Sequence, residues 1–246
     1  MAEPFFIGWA APPRGLRRFL LLAALLLLGT FAGLGYALSV TQDDPGEGAF
    51  RFDWGRIAVT GVLVAEPYPV LHVLESPEHA PGTPLLLSAG GKRGVVAAAS
   101  LDGRRVTVEG VALQRDAFEA FQVAGGRLTA AEGPAALPLT EPLGRWRITG
   151  EICDGKCYAG AMRPGIGRAH RGCANFCLLG GVPPIFLATD AVAGARIFLL
   201  AGPDGGPLDP GVLDYTALLV SLDGEVERQG ALPVFRVETD SLRVVP

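Results

Sequence analysis

The sequence predicts a mainly β protein that follows a single transmembrane helix. Three observations support this fold class. An uncharged apolar run lies near the N-terminus, and short β-rich runs alternate with Gly, Pro and Asp turns through the rest of the chain. These β-rich runs fall into two sets with a similar order of motifs. We therefore expect two OB-like small β-barrel domains formed by an internal repeat, with a β-sandwich as the alternative.

Residues 19–40 predict the membrane anchor. The run has no charged residue and, at about 1.5 Å per residue, can cross a hydrocarbon core of roughly 30 Å. Arginines precede it and acidic residues follow it, so the positive-inside rule predicts a single-pass protein of the bacterial inner membrane. Residues 1–18 would be cytoplasmic and the C-terminal domains periplasmic. A signal peptide cleaved after residues 35–37 is the alternative, but the run exceeds the roughly 7–15 apolar residues of a signal sequence.

The region after the anchor divides into two sets of predicted strands. The first domain is expected over 41–132 and the second over 144–246, and the Pro-rich segment 133–143 is the expected linker. Each set begins with a strand that contains Thr-Gly, and each ends with aromatic-x-Val. The first set comprises 56–65, 70–74, 85–88, 104–114 and 118–123. The second comprises 145–153, 196–200, 215–222, 226–228, 234–237 and 241–245.

Composition and charge exclude several function classes. The net charge of −4 argues against a nucleic-acid partner. The glycine-rich segment 90–94 lacks the spacing of a phosphate-binding loop, so it predicts a hairpin turn and no nucleotide. The chain has only two lysines, Lys92 and Lys156, which we attribute to a GC-rich genome. The first domain, without cysteine, is interpreted as a spacer or docking module.

The second domain carries a cluster of cysteines in a predicted insert at 153–184. All four cysteines of the chain lie there and, with one histidine, form the pattern C-x3-C-x12-H-x2-C-x3-C. The five candidate metal ligands are Cys153, Cys157, His170, Cys173 and Cys177. A short helix over 169–179 would place the last three on one face, and the glycines at 180–181 would end it.

Three interpretations of this cluster stay open. Two disulfides would suit an oxidising compartment and stabilise the insert by about 2–4 kcal/mol each, but would leave His170 without a role. Thiolates with one imidazole are a soft ligand set suited to zinc or copper. A thiol redox pair activated by His170 is the third interpretation. Haem c is excluded because the chain has no C-x-x-C-H motif.

The cluster and its flanks resemble a motif of exported, largely uncharacterised bacterial proteins, with the pattern G-E-x-x-D-x-x-C-Y…H-x-x-C-A-x-x-C-x-x-G-x-P. The matching residues are Gly150, Glu151, Asp154, Cys157, Tyr158, His170, Cys173, Ala174, Cys177 and the Gly/Pro segment 180–184. The resemblance spans 150–184 and brings no established reaction. It implies that Cys157, His170, Cys173 and Cys177 act as a unit, and that Cys153 is an additional thiol.

These observations together predict a membrane-anchored periplasmic accessory subunit. Its Cys/His site would bind zinc or copper, or support electron transfer, beside a membrane oxidoreductase or cytochrome. The sequence contains neither G-x-S-x-G nor H-E-x-x-H, so an independent hydrolytic site is not expected. The alternative is a non-catalytic scaffold or interaction protein stapled by disulfides.

Overall fold

The computed structural model describes residues 13–41, 48–96 and 99–245. The α-helices in that part of the chain are α1 (Arg17–Thr41) and α2 (Arg171–Leu179). The strands are β1 (Ala49–Phe50), β2 (Ile57–Val64), β3 (Val70–Glu75), β4 (Pro84–Ser88), β5 (Arg105–Arg115), β6 (Phe118–Val123), β7 (Thr129–Ala130), β8 (Thr140–Asp154), β9 (Pro184–Val192), β10 (Ala195–Ala201), β11 (Leu219–Gln229) and β12 (Leu232–Val244). The predicted mainly β class and the N-terminal apolar helix are confirmed.

Helix α1 contains the whole predicted apolar run at 19–40. It is long and apolar enough to cross a membrane, and none of its side chains is buried. The chain divides into two compact units, Met1–Asp44 and Pro45–Pro246. The first unit contains α1, and the second contains α2 and every strand of the described residues.

The first sheet is a ring of five strand pairings, decorated by the short strands β1 and β7. Antiparallel pairings join β2 to β3, β3 to β4, β5 to β6 and β2 to β5. A parallel pairing between β4 and β6 completes the ring. Alternate residues of these strands point inward and form a core around Phe121, Leu63 and Leu71.

The second sheet is a closed five-stranded barrel with the same order of pairings. Antiparallel pairings join β8 to β9, β9 to β10, β11 to β12 and β8 to β11, and β10 runs parallel to β12. The barrel core contains Phe186, Phe198 and Phe235, whose rings meet edge to face. Each barrel strand therefore has a counterpart at the same place in the first sheet.

A third apolar layer joins the outer faces of the two sheets. Leu86 and Leu113 of the first sheet share a buried cluster with Ile185 and Leu199 of the second. The Tyr68 hydroxyl also accepts a hydrogen bond from the backbone N–H of Leu208 at 3.1 Å. Both sheets consequently belong to the compact unit Pro45–Pro246.

Several strand bounds differ from the sequence expectation. The sequence does not predict β9, since its apolar run follows two prolines. The predicted strands 215–222 and 226–228 become the single strand β11, and 234–237 and 241–245 become β12. Gly224 lies inside β11 because a Cβ there would come 2.1 Å from the Arg236 carbonyl oxygen, not because the chain turns. Strand β8 begins at Thr140, inside the predicted linker.

Candidate metal and thiol site

The connection from β8 to β9 builds the site. Strand β8 ends with Cys153 and Asp154, and one π-helical turn, Cys157–Ala161, follows. The Asp154 carboxylate accepts a hydrogen bond from the Cys157 backbone N–H at 2.8 Å, which fixes the start of that turn. Helix α2 then presents Cys173 and Cys177, which share one helical face at four-residue spacing.

Three cysteine sulfurs meet where α2 faces this turn. The Cys157 sulfur lies 3.7 Å from that of Cys173 and 3.8 Å from that of Cys177, and all three lie within 4.8 Å of one another. Cys157 and Cys177 are buried, whereas Cys173 is partly exposed. A disulfide bond would require about 2.05 Å. All four cysteines are free thiols, so the expected disulfides are not confirmed.

The two buried sulfurs are electrostatically unequal. Hydrogen bonding to Cys177, together with burial, raises the pKa of Cys157. The same hydrogen bond lowers the pKa of Cys177. The shared hydrogen bond thus couples the protonation of the two sulfurs.

Lys92 of the first sheet contacts the exposed sulfur. Its ammonium donates a hydrogen bond to the Cys173 sulfur at 2.5 Å, and this bond raises the pKa of Lys92. Lys92 belongs to the loop 90–94, which is the predicted hairpin turn, closed by the bridge between Ser88 and Gly94. The loop reaches α2 because Gly180 has no side chain, since a Cβ there would lie 1.9 Å from the Lys92 carbonyl oxygen.

Lys156 binds the backbone at this loop. Its buried ammonium donates hydrogen bonds to the carbonyl oxygens of Ala89 at 2.6 Å and Gly91 at 2.8 Å. Burial lowers the pKa of Lys156. Both lysines of the chain thus lie at the thiol cluster, a placement that genome composition does not explain. The first sheet also contributes to the site, beyond the spacer role that the sequence suggests.

A second group lies deeper in the insert. His170 Nε2 lies 2.9 Å from the Asp154 carboxylate, and both side chains are completely buried. The Cys153 thiol donates to the Gly165 carbonyl oxygen at 2.9 Å, and burial raises its pKa well above the ordinary value. Cys153, Asp154 and His170 each place one ligand atom within 4.8 Å of the others.

The structure thus divides the five predicted residues between two groups. Cys157, Cys173 and Cys177 form one group, while Cys153 and His170 join Asp154 in the other. Asp154 was not among the predicted ligands, although it belongs to the motif that carries the resemblance. Its role as the partner of His170 and of the Cys157 backbone has no other signal in the sequence.

A small cavity opens beside the three-sulfur group. Its volume is about 230 Å³, and its lining includes the three sulfurs' residues, both lysines and Met162. A larger cleft of about 860 Å³ lies between residues of both sheets, and none of the cysteines lines it. The chemistry of the molecule is therefore concentrated at the smaller cavity.

Apart from the buried Asp154, which accepts a hydrogen bond from the Cys157 backbone, the segments around the three-sulfur group are basic. Residues 155–189 contain one lysine and the arginines Arg163, Arg168 and Arg171, but no acidic residue. The loop from the first sheet adds Lys92 and Arg93, again without an acid between 89 and 96. This local positive charge contrasts with the net charge of −4 for the whole chain.

Comparison with known proteins adds no further indication of function. No protein-family model, curated protein or solved structure matches the chain. The functional argument consequently rests on the chemistry of the site.

Proposed function

We propose that Cys157, Cys173 and Cys177 bind one thiophilic metal ion, zinc or Cu(I), in a membrane-anchored protein. The observation that carries the proposal is the spacing of the three sulfurs. A metal–sulfur distance of about 2.3 Å with tetrahedral angles separates two sulfurs by about 3.8 Å. The separations of 3.7 and 3.8 Å around Cys157 match this value.

The accessible side of the group supports an exchangeable metal rather than a structural one. Structural zinc sites are closed by four protein ligands, whereas sites with three protein ligands keep a fourth position for another group. Here the cavity of about 230 Å³ adjoins the sulfurs, and Cys173 is partly exposed. A small ligand or a partner protein could approach the metal from this side.

The two lysines supply the charge that such a site needs. Three thiolates leave two negative charges around Cu(I) and one around zinc. Lys92 contacts the Cys173 sulfur, and buried Lys156 lies beside Cys157 in the chain. A buried ammonium is costly unless an anion compensates it.

The anchor and the fold extend the same proposal. We infer that residues 1–18 lie in the cytoplasm and that the site lies in the periplasm, held near a membrane oxidoreductase or cytochrome. The basic surroundings of the sulfurs suit an acidic partner surface. The shared order of pairings further suggests two diverged copies of one OB-like barrel, of which only the second has acquired the Cys-bearing insert.

Metal titration of the full-length protein tests the proposal. The protein would be purified in detergent under anaerobic, reducing conditions and titrated separately with Zn²⁺ and Cu(I) against a competing chelator. We expect one tightly bound ion per chain, retained in Cys153→Ser and lost in Cys173→Ser. Cys153→Ser is the matched control because that thiol only bonds a carbonyl oxygen.

Two results would overturn the assignment. One is a wild-type chain that binds far less than one equivalent of either ion. The other is equal loss of binding in Cys153→Ser and Cys173→Ser, which would point to the deeper group or to a general folding defect.

A further inference from the structure

We propose that the three-sulfur group also performs thiol–disulfide exchange, with Cys173 as the attacking thiol and Cys157 as the resolving thiol. This activity goes beyond metal binding, since it needs only the reduced, metal-free cysteines. Its substrate class is an external disulfide, either a small molecule such as glutathione disulfide or an exposed protein disulfide.

Access separates the four cysteines. Cys173 is partly exposed, whereas Cys153, Cys157 and Cys177 are buried, although Cys157 and Cys177 also line the cavity of about 230 Å³. An external disulfide therefore reaches Cys173 first. The other two sulfurs of the group lie behind it, as a resolving thiol requires.

Lys92 supports attack by Cys173. A thiolate is the nucleophile in exchange, and a neighbouring cation stabilises it. The Lys92 ammonium provides that cation through its 2.5 Å hydrogen bond to the Cys173 sulfur. Arg171, exposed and two residues before Cys173, adds positive charge that attracts anionic disulfides.

The exchange balances in two steps. The Cys173 thiolate attacks one sulfur of the external disulfide, forms a mixed disulfide and releases one thiolate, which takes up a proton. The Cys157 sulfur, 3.7 Å from that of Cys173, then loses its proton, attacks the Cys173 sulfur and releases the second external thiol. The protein gains one disulfide and two electrons pass to the external disulfide, which leaves as two thiols; one of their protons comes from Cys157 and the other from solvent.

This reaction competes with metal binding. A Cys157–Cys173 disulfide would occupy two of the three proposed ligands and leave only Cys177. Bound metal should therefore slow the exchange, and oxidation should release the metal. The redox state of the surroundings would then control how much metal the site holds.

Glutathione disulfide is the probe for the first test. The reduced, chelator-treated full-length protein would be incubated with it in detergent, quenched in acid and mapped by peptide mass spectrometry. We expect a Cys157–Cys173 disulfide in the wild type, in Cys153→Ser and in Cys177→Ser. Cys157→Ser should instead accumulate glutathione on Cys173. The absence of both products, or first modification at Cys153, would overturn the proposal.

A second test addresses Lys92. In the Cys157→Ser background, Lys92→Gln should slow glutathione attachment to Cys173 about tenfold because the stabilising cation is lost. Arg93→Gln, in the same loop, is the matched control and should change the rate less than about twofold, since the Arg93 guanidinium donates a hydrogen bond to the Gly90 carbonyl oxygen. Equal rates in the two variants would contradict the role of Lys92.

Failure of this proposal is distinguishable from failure of the proposed metal site. Metal titration of the same reduced preparation measures metal binding independently of thiol exchange. A chain that binds one metal ion but does not exchange refutes only the thiol activity. A chain that exchanges but binds no metal refutes only the metal site.

Discussion

At the scale of single residues, Lys156 connects the insert after β8 to a loop of the first sheet. Its ammonium is almost completely removed from solvent and bonds two carbonyl oxygens of the loop that carries Lys92. Burial alone disfavours this charge and lowers the pKa of Lys156, while the nearby cysteine sulfurs oppose the shift. The Lys156 ammonium is therefore stabilised most when the sulfurs are thiolates, as they would be in a metal-bound site.

Replacing Lys156 by Met should weaken both the fold and the site. The two carbonyl oxygens lose a charged donor, so the free energy of unfolding should fall by about 1.5–3 kcal/mol. Affinity for Cu(I) should also fall, because one compensating charge is lost. Denaturant titration of the protein in detergent measures the first effect and chelator competition the second. The control Lys92→Met, at an exposed side chain, should leave stability within about 0.5 kcal/mol of the wild type.

His72 predicts a pH dependence of stability. It is buried in β3, its Nε2 atom has no hydrogen-bond partner among the described residues, and burial lowers its pKa. Below a pH of about 6.5 the unfolded chain takes up a proton that the folded chain resists, so folding stability should fall on acidification. The variant His72→Gln cannot titrate and should show a flatter loss of stability between neutral and mildly acidic pH. An unchanged slope would assign the acid sensitivity to other groups.

At the scale of elements, local sequence patterns predict the positions of helices and strands better than they predict which side chains contact each other. The four-residue spacing of Cys173 and Cys177 and the following glycines predict α2, and alternating apolar residues predict most strands. The sequence places His170 on the same helical face as these cysteines. The helix begins only at Arg171, after a separate turn at Arg168–His170, and His170 pairs with Asp154 instead.

The contact between Lys92 and Cys173 could not be predicted from the sequence either. Lys92 and Cys173 are 81 residues apart, and their contact depends on how the two sheets pack. No local periodicity encodes that packing. The signal that was present in the sequence is compositional, since the only two lysines of the chain meet at the sulfurs.

The close approach of α2 to the first sheet predicts that alanine substitutions at Gly180 and Gly172 have different effects on stability. A Cβ at Gly180 would meet the Lys92 carbonyl oxygen at 1.9 Å, whereas a Cβ at Gly172 has nothing within 4 Å. Gly180→Ala should therefore lower the free energy of unfolding by about 1–3 kcal/mol and separate Lys92 from Cys173. Gly172→Ala should leave it unchanged or raise it by up to about 1 kcal/mol. Similar denaturation midpoints for both variants would contradict this packing.

At the scale of the whole molecule, helix α1 is the element that bears on where the site is located. Helix α1 is long and apolar enough to span a membrane. We expect the chain to remain in the membrane fraction after alkaline carbonate extraction, with residues 1–37 still present by intact mass. A membrane-impermeant thiol reagent should label Cys173 from outside in spheroplasts. A soluble chain that begins near residue 38 would instead identify a cleaved signal peptide.

The central claim is that three cysteines, and neither His170 nor Cys153, hold the metal. X-ray absorption spectroscopy of the metal-loaded, reduced full-length protein counts the ligands directly. We predict three sulfur atoms at about 2.3 Å from the ion, with no imidazole contribution, and the same spectrum for Cys153→Ser. An imidazole ligand, or a fourth sulfur that disappears in Cys153→Ser, would contradict the account.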